Sequence, residues 1–129
     1  MFTVAQIKAA HSKVKSGADF PSYIKEIKEL GVTHYEAYVA DGHIDYHGGN
    51  NHTANVPENY ESLAIADTAN IEVFKAELLA HQLGKTDYVA FIKMCAETGI
   101  EKWVICMDQM TCIYYDKAGN QILTEVIPQ

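Results

Sequence analysis

The sequence predicts an α+β fold in which a duplicated helix–helix–β-hairpin unit packs its helices on one face of antiparallel sheet. Three observations carry this. In each half of the chain apolar residues recur at helical spacing and then switch to a period of two, a sharp turn signal follows the first alternating run, and the stretch from Asp19 to His47 aligns without a gap on the second half when slid by 68 positions.

The first helix begins at Thr3, whose hydroxyl can cap while Gln6 reaches back; Phe2 and Ile7 form a hydrophobic staple and Gly17 offers a left-handed stop. A second helix starts near Asp19 and carries Phe20, Tyr23, Ile24, Ile27 and Leu30 on one face before Gly31 ends it. From Thr33, Tyr35, Ala37 and Val39 alternate with His34, Glu36 and Tyr38. Asp41-Gly42 reads as a two-residue type I′ turn, which pairs Ala40 with His43, Tyr38 with Asp45 and Glu36 with His47 on a return strand from His43 to His47. The stretch from Gly48 to Asn59 is rich in Gly, Asn and Pro and reads as a loop, with a short strand expected around Leu63 to Ala66.

In the second half Asn70 caps a helix through Ile71, Phe74, Leu78 and Leu79, and another runs from about Asp87 through Tyr88, Phe91, Ile92 and Cys95 to Gly99. Strands follow at Lys102 to Asp108, Thr111 to Asp116 and Gln121 to Ile127. At the 68-position offset, Asp19, Ile24, Lys25, Glu29, Gly31 and Tyr46 fall on Asp87, Ile92, Lys93, Glu97, Gly99 and Tyr114, while Tyr35 falls on Trp103. Each half, about 1–66 and 67–129, would be marginal alone, so the expectation is a single domain over 1–129 with one shared core.

Seventeen acidic residues against ten basic ones give an acidic chain of formal charge -7. Its lysines form no cluster, which argues against a nucleic-acid partner. The opening MFTVAQIKAAHSKVK lacks the apolar core of a signal peptide, and no run approaches the roughly 18 apolar residues of a membrane span, so no membrane association and a cytoplasmic location are expected. Cys95, Cys106 and Cys112 make an odd set without a CxxC pair, consistent with a reducing compartment.

The stretches FTVAQIKAAHSKVKSGADFPSYI, YVADGH, AHQLGKTDYVAFIKM and EKWVICMDQMTCIYYDKAGNQI resemble a family of uncharacterised bacterial proteins of about this length, some labelled phage envelope protein. The similarity spans nearly the whole chain. It implies no catalytic motif, and a lipid-envelope role conflicts with the absence of a spanning segment in the sequence.

The face of the sheet away from the helices holds the candidate site residues. In the first hairpin it gathers His34, Glu36, Tyr38, His43, Asp45 and His47. His43, Asp45 and His47 could ligate a divalent metal, although their Cα atoms stand about 6.7 Å apart along one strand, which strains a three-ligand set. A solvated face with Glu–His cross-strand pairs is the plainer reading. In the second half the same face carries Lys102, Val104, Cys106, Asp108, Thr111, Ile113 and Tyr115, apolar enough to invite self-association, as in a homodimer, or a small-molecule cleft. With no histidine near it in sequence, Cys106 reads as a small strand residue rather than a nucleophile. The Gly48 to Asn51 run lacks the lysine and setting of a phosphate loop, and no cofactor is expected.

The functional expectation is a non-catalytic protein binding a small molecule or a protein partner through the helix-free face, with Glu36, Tyr38, Cys106 and Tyr115 as ligand-contacting candidates. The alternatives are a metal-dependent enzyme using the His/Asp/Glu face of the first hairpin, and a phage-derived accessory protein.

Overall fold

A computed structural model describes residues 2–14, 19–57 and 60–127. The stop expected at Gly17 lies outside the described residues. Helix α1 (Val4–His11) opens with the capping box read from the sequence: Gln6 N donates to Thr3 Oγ1 at 3.2 Å and Thr3 N to Gln6 Oε1 at 2.8 Å. Helix α2 (Phe20–Leu30) has Pro21 in its first turn, where a missing N–H costs nothing, and ends at Gly31, whose φ of 110° only glycine adopts freely. Its buried stripe is Tyr23, Ile24 and Ile27.

Helix α3 (Ile71–Gln82) is capped by Asn70, whose Oδ1 accepts from Val73 N, and α4 (Tyr88–Glu97) by Asp87, whose Oδ1 accepts from Ala90 N at 2.8 Å. Of the apolar residues expected to face the core, α3 buries Phe74 and Leu78; Leu79 remains 56% exposed. The α4 stripe is Phe91, Ile92, Cys95 and Ala96.

The strands are β1 (Val32–Tyr38), β2 (Ile44–Gly48), β3 (Thr53–Val56), β4 (Lys102–Cys106), β5 (Thr111–Tyr115) and β6 (Gln121–Val126). They form one antiparallel sheet in the order β3-β2-β1-β4-β5-β6. The two halves meet at its centre, where β1 pairs with β4. Each half therefore contributes two helices and a three-stranded meander.

Three expectations are corrected. The segment read as a loop contains β3, and residues 63–66, read as a short strand, run as irregular chain tied to loops, with Leu63 N donating to Ala40 O and Ala66 N to Ala96 O. Leu63 and Ile65 are apolar because they pack against the core, not because they join the sheet. The first hairpin also closes two residues earlier than a two-residue turn allows. Tyr38 N donates to His43 O and Gly42 N to Tyr38 O, so residues 39–42 form the loop and Glu36 stands opposite Asp45, not His47. The chain from Tyr60 to Leu63 explains the choice: Ala40 O accepts from Leu63 N at 2.7 Å instead of from His43 N, and Val39 O accepts from Tyr60 Oη at 2.6 Å. A two-residue slip leaves every side chain on its predicted face.

All four helices cover the face that carries Tyr35, Ala37, Tyr46, Trp103, Ile105, Cys112 and Tyr114, and one cluster of buried residues draws on both halves. At the 68-position offset the hairpin registers coincide: Tyr35 opposes Tyr46 and Trp103 opposes Tyr114. No helix among the described residues is long and apolar enough to cross a membrane.

Candidate functional site

The strand registers place the helix-free face in three rows across the sheet. The first is Asn55, Asp45, Glu36, Val104, Ile113 and Thr124; the second Thr53, His47, His34, Cys106, Thr111 and Val126; the third His43, Tyr38, Lys102, Tyr115 and Gln121. The seven site residues expected from sequence all lie here. They are partnered largely with one another. Glu36 Oε2 accepts from Lys102 Nζ at 3.3 Å and from Tyr38 Oη at 3.2 Å, and Lys102 Nζ sits 5.6 Å and 5.4 Å from the Tyr38 and Tyr115 ring centroids. Burial pushes the Glu36 carboxyl up, but the Lys102 ammonium and the Tyr38 hydroxyl outweigh it, and its pKa lies below the ordinary value.

His43 stacks on Tyr38 with centroids 4.2 Å apart, and its Nδ1 lies 2.6 Å from Asp41 Oδ1. Its other nitrogen is 4.0 Å from Asp45, whose Oδ1 already accepts from Asn55. His47 stacks on His34 at 4.4 Å and points Nε2 toward Glu36 Oε1 at 3.5 Å, a long ion-pair distance at which no hydrogen bond forms. Of the three candidate ligands His43 and Asp45 approach each other, whereas His47 is directed at Glu36. Among the described residues no group of three or more His, Cys, Asp or Glu side chains is arranged to hold a metal ion. Cys106 does acquire a histidine neighbour through the fold, since His34 is its cross-strand partner 72 positions away.

The enclosed volume lies on the other side. Between the two helix pairs and the covered face of the sheet is a cavity of about 710 Å³, partly open to solvent. That size falls in the range of about 300–1,000 Å³ usual for small-molecule sites. Its floor is Tyr35, Ala37, Tyr46, Trp103, Cys112 and Tyr114 from β1, β2, β4 and β5. Its walls include Tyr23 from α2, Leu78 and His81 from α3, and Tyr88 and Phe91 from α4, with His11 at the end of α1. Glu125, Asp87 and Gln82 also line it.

The cavity forms where aromatic side chains from both halves meet. Large aromatic side chains stand at the core positions of both hairpins and both helix pairs, and rings of this size meet at their edges without filling the space between four helices. Phe91 and Trp103 lie 5.6 Å apart, Trp103 and Tyr114 6.3 Å, and Tyr35 and Tyr46 5.0 Å. All these contacts are tilted.

A family comparison bears on this architecture. The family model described as Protein of unknown function (DUF1398) matches residues 8–126. The chain belongs to this family. No curated protein matches the chain. The region shared with DUF1398 runs from within α1 to the last residue of β6, so it takes in the cavity and the open face alike.

In this DUF1398 chain burial biases the histidine, tyrosine and cysteine side chains of the cavity toward their neutral forms. Burial lowers the pKa of both His11 and His81 below the ordinary imidazole value; His81 stacks on Phe91 at 4.2 Å with Nδ1 3.0 Å from Thr86 Oγ1. Burial, then the Tyr46 hydroxyl, raises the phenol of Tyr23, and burial raises Tyr46; the two hydroxyls share a hydrogen bond of 2.9 Å. The Tyr88 phenol is pushed up to about 12 by burial. The Cys112 thiol, also pushed up to about 12 by burial, stays protonated and is no nucleophile at neutral pH. An aromatic interior with hydroxyl and imidazole edges, and with the Asp87 and Glu125 carboxylates in its wall, is suited to holding a molecule.

Proposed function

We propose that this protein is a non-catalytic binding protein whose ligand is a small, largely apolar molecule held in the cavity between the helix pairs and the sheet. The observation that carries the reading is the cavity itself, lined by aromatic side chains from both halves of the chain. This reading takes the cavity under the helices as the binding site in place of the helix-free face, where Glu36, Lys102 and Tyr38 are bound to one another. The equal hairpin registers at a 68-position offset support the further reading that the halves descend from one duplicated unit, which places the cavity across their junction.

Trp103 is the chain's one tryptophan and stands in the cavity floor, so its emission reports directly on occupancy. Titration with the neutral fluorophore N-phenyl-1-naphthylamine should transfer energy from Trp103 to the bound dye. Ala37→Phe, which adds a ring at a floor position only 2% exposed, should weaken that binding about tenfold or more, with far-ultraviolet circular dichroism checking that the fold accommodates the ring. Dye binding that is unchanged in Ala37→Phe would move the site elsewhere.

A further inference from the structure

We propose that the ligand of this cavity is an organic cation, a molecule with one or more aromatic or aliphatic groups around a single permanent or protonated positive charge. The inference rests on the cavity reading and adds the ligand's charge. It comes from what the cavity wall contains and from how those groups are disposed.

The two formally charged side chains that line the cavity among the described residues are both carboxylates, Asp87 and Glu125. No lysine lines it among those residues, and the chain has no arginine. A bound anion would have neither a guanidinium fork nor an ammonium to meet it, and both imidazoles in the wall are biased by burial toward their neutral form. The rings supply the complementary half of the argument. Tyr23, Tyr46, Tyr88, Phe91, Trp103 and Tyr114 offer negative π faces and positive edges, and a desolvated cation over such faces gains where an anion loses.

The two carboxylates differ in how free their charge is. Asp87 caps α4, with Oδ1 accepting from Ala90 N at 2.8 Å, so much of its charge is committed to the helix terminus. Glu125 projects from β6, opposite Cys112, and accepts one neutral hydrogen bond, from Gln82 Nε2 at 3.0 Å. It is half-buried and faces no cation among its described contacts. Glu125 is therefore the principal counter-ion, with Asp87 secondary.

The matched pair tetraphenylphosphonium and tetraphenylborate, alike in shape and opposite in charge, tests this by calorimetric titration of the intact protein. The phosphonium should bind about tenfold or more tightly than the borate. Glu125→Gln should remove most of that preference, and Asp87→Asn, which keeps a good helix cap, a smaller part. Equal or tighter binding of the borate, or a preference unchanged in Glu125→Gln, overturns the proposal. If the neutral dye binds and Ala37→Phe blocks it while the phosphonium shows no preference, the cavity reading stands and the cation proposal falls. If the dye, the phosphonium and the borate all fail to bind, both fall.

Discussion

The hydroxyl pair of Tyr23 and Tyr46 offers a sharp test of the packing under the helices. The residues are 5% and 2% exposed, and their oxygens lie 2.9 Å apart, the hydroxyl of one satisfying the other. Tyr46→Phe removes one partner and leaves the Tyr23 hydroxyl buried, which should cost about 1–3 kcal/mol; Tyr23→Phe should cost a similar amount. The double variant leaves two apolar rings of nearly the original shape and should cost less than the sum of the singles, with a coupling of about 1–2 kcal/mol. For a domain with a urea slope of about 1–3 kcal/mol per molar, each single change should lower the unfolding midpoint by roughly 0.5–1.5 M. Far-ultraviolet circular dichroism and Trp103 emission should report the same midpoints. Single variants costing less than about 0.5 kcal/mol, with additive effects in the double variant, would refute the reasoning by showing that water reaches both hydroxyls.

Two further outcomes are expected. Gly99→Ala places a Cβ 2.8 Å from both Ala69 Cα and Thr68 O at a φ of +86°, so it should cost about 2–3 kcal/mol, whereas Gly119→Ala, at φ +87° with open space around it, should cost about 1 kcal/mol; equal losses in thermal unfolding would dismiss the steric contribution. Stability should fall on acidification, because His11 and His81 are lowered by burial and His34 by burial and then the His47 charge. The unfolded chain therefore takes up protons first as pH drops below the ordinary value of 6.5, and the stability these groups contribute above that pH is lost on the way down. Glu36, also lowered, continues the trend below about 4.5. Melting temperatures measured between about pH 7.5 and pH 4 should decline monotonically, and a rise near pH 6 would contradict the assignment.

The helices were legible because their signals are local. Thr3 with Gln6, Asn70, Asp87 and the glycines at 31 and 99 each mark an end through their own backbone or side-chain chemistry, and the structure puts a helix boundary at each. The short strand β3 was not legible, since Thr53, Ala54, Asn55 and Val56 are neither apolar enough nor long enough to stand out beside Gly48, Gly49, Asn50 and Asn51. Its position at the sheet edge, paired to β2 alone, explains that composition: an edge strand with polar residues resists pairing with other chains. The hairpin register failed for a tertiary reason, the bond from Leu63 N to Ala40 O, that no turn rule contains. The face assignments survived because side chains alternate, so an error of two residues changes partners and not sides. The cavity was hidden for a different reason. Each ring in its wall is visible in the sequence as a core residue, but unfilled space depends on how residues as distant as His11 and Glu125 are brought together.

The central pairing of β1 with β4 has a consequence for how the chain is made. Glu36 meets Val104 only after 68 further residues have been added, so during synthesis the first half presents β1 with a bare row of donors and acceptors along the edge that will become the middle of the sheet. Another copy of the nascent chain carries the same row, and nothing local distinguishes it from the proper partner. The alternation of His34, Glu36 and Tyr38 with Tyr35 and Ala37 then acts as a safeguard: a foreign strand docking there must either face three polar side chains or slide its own apolar set under helices α1 and α2. Slowing translation before β4 should raise the yield of misassembled oligomers, and substituting Glu36 with an apolar residue should raise it further.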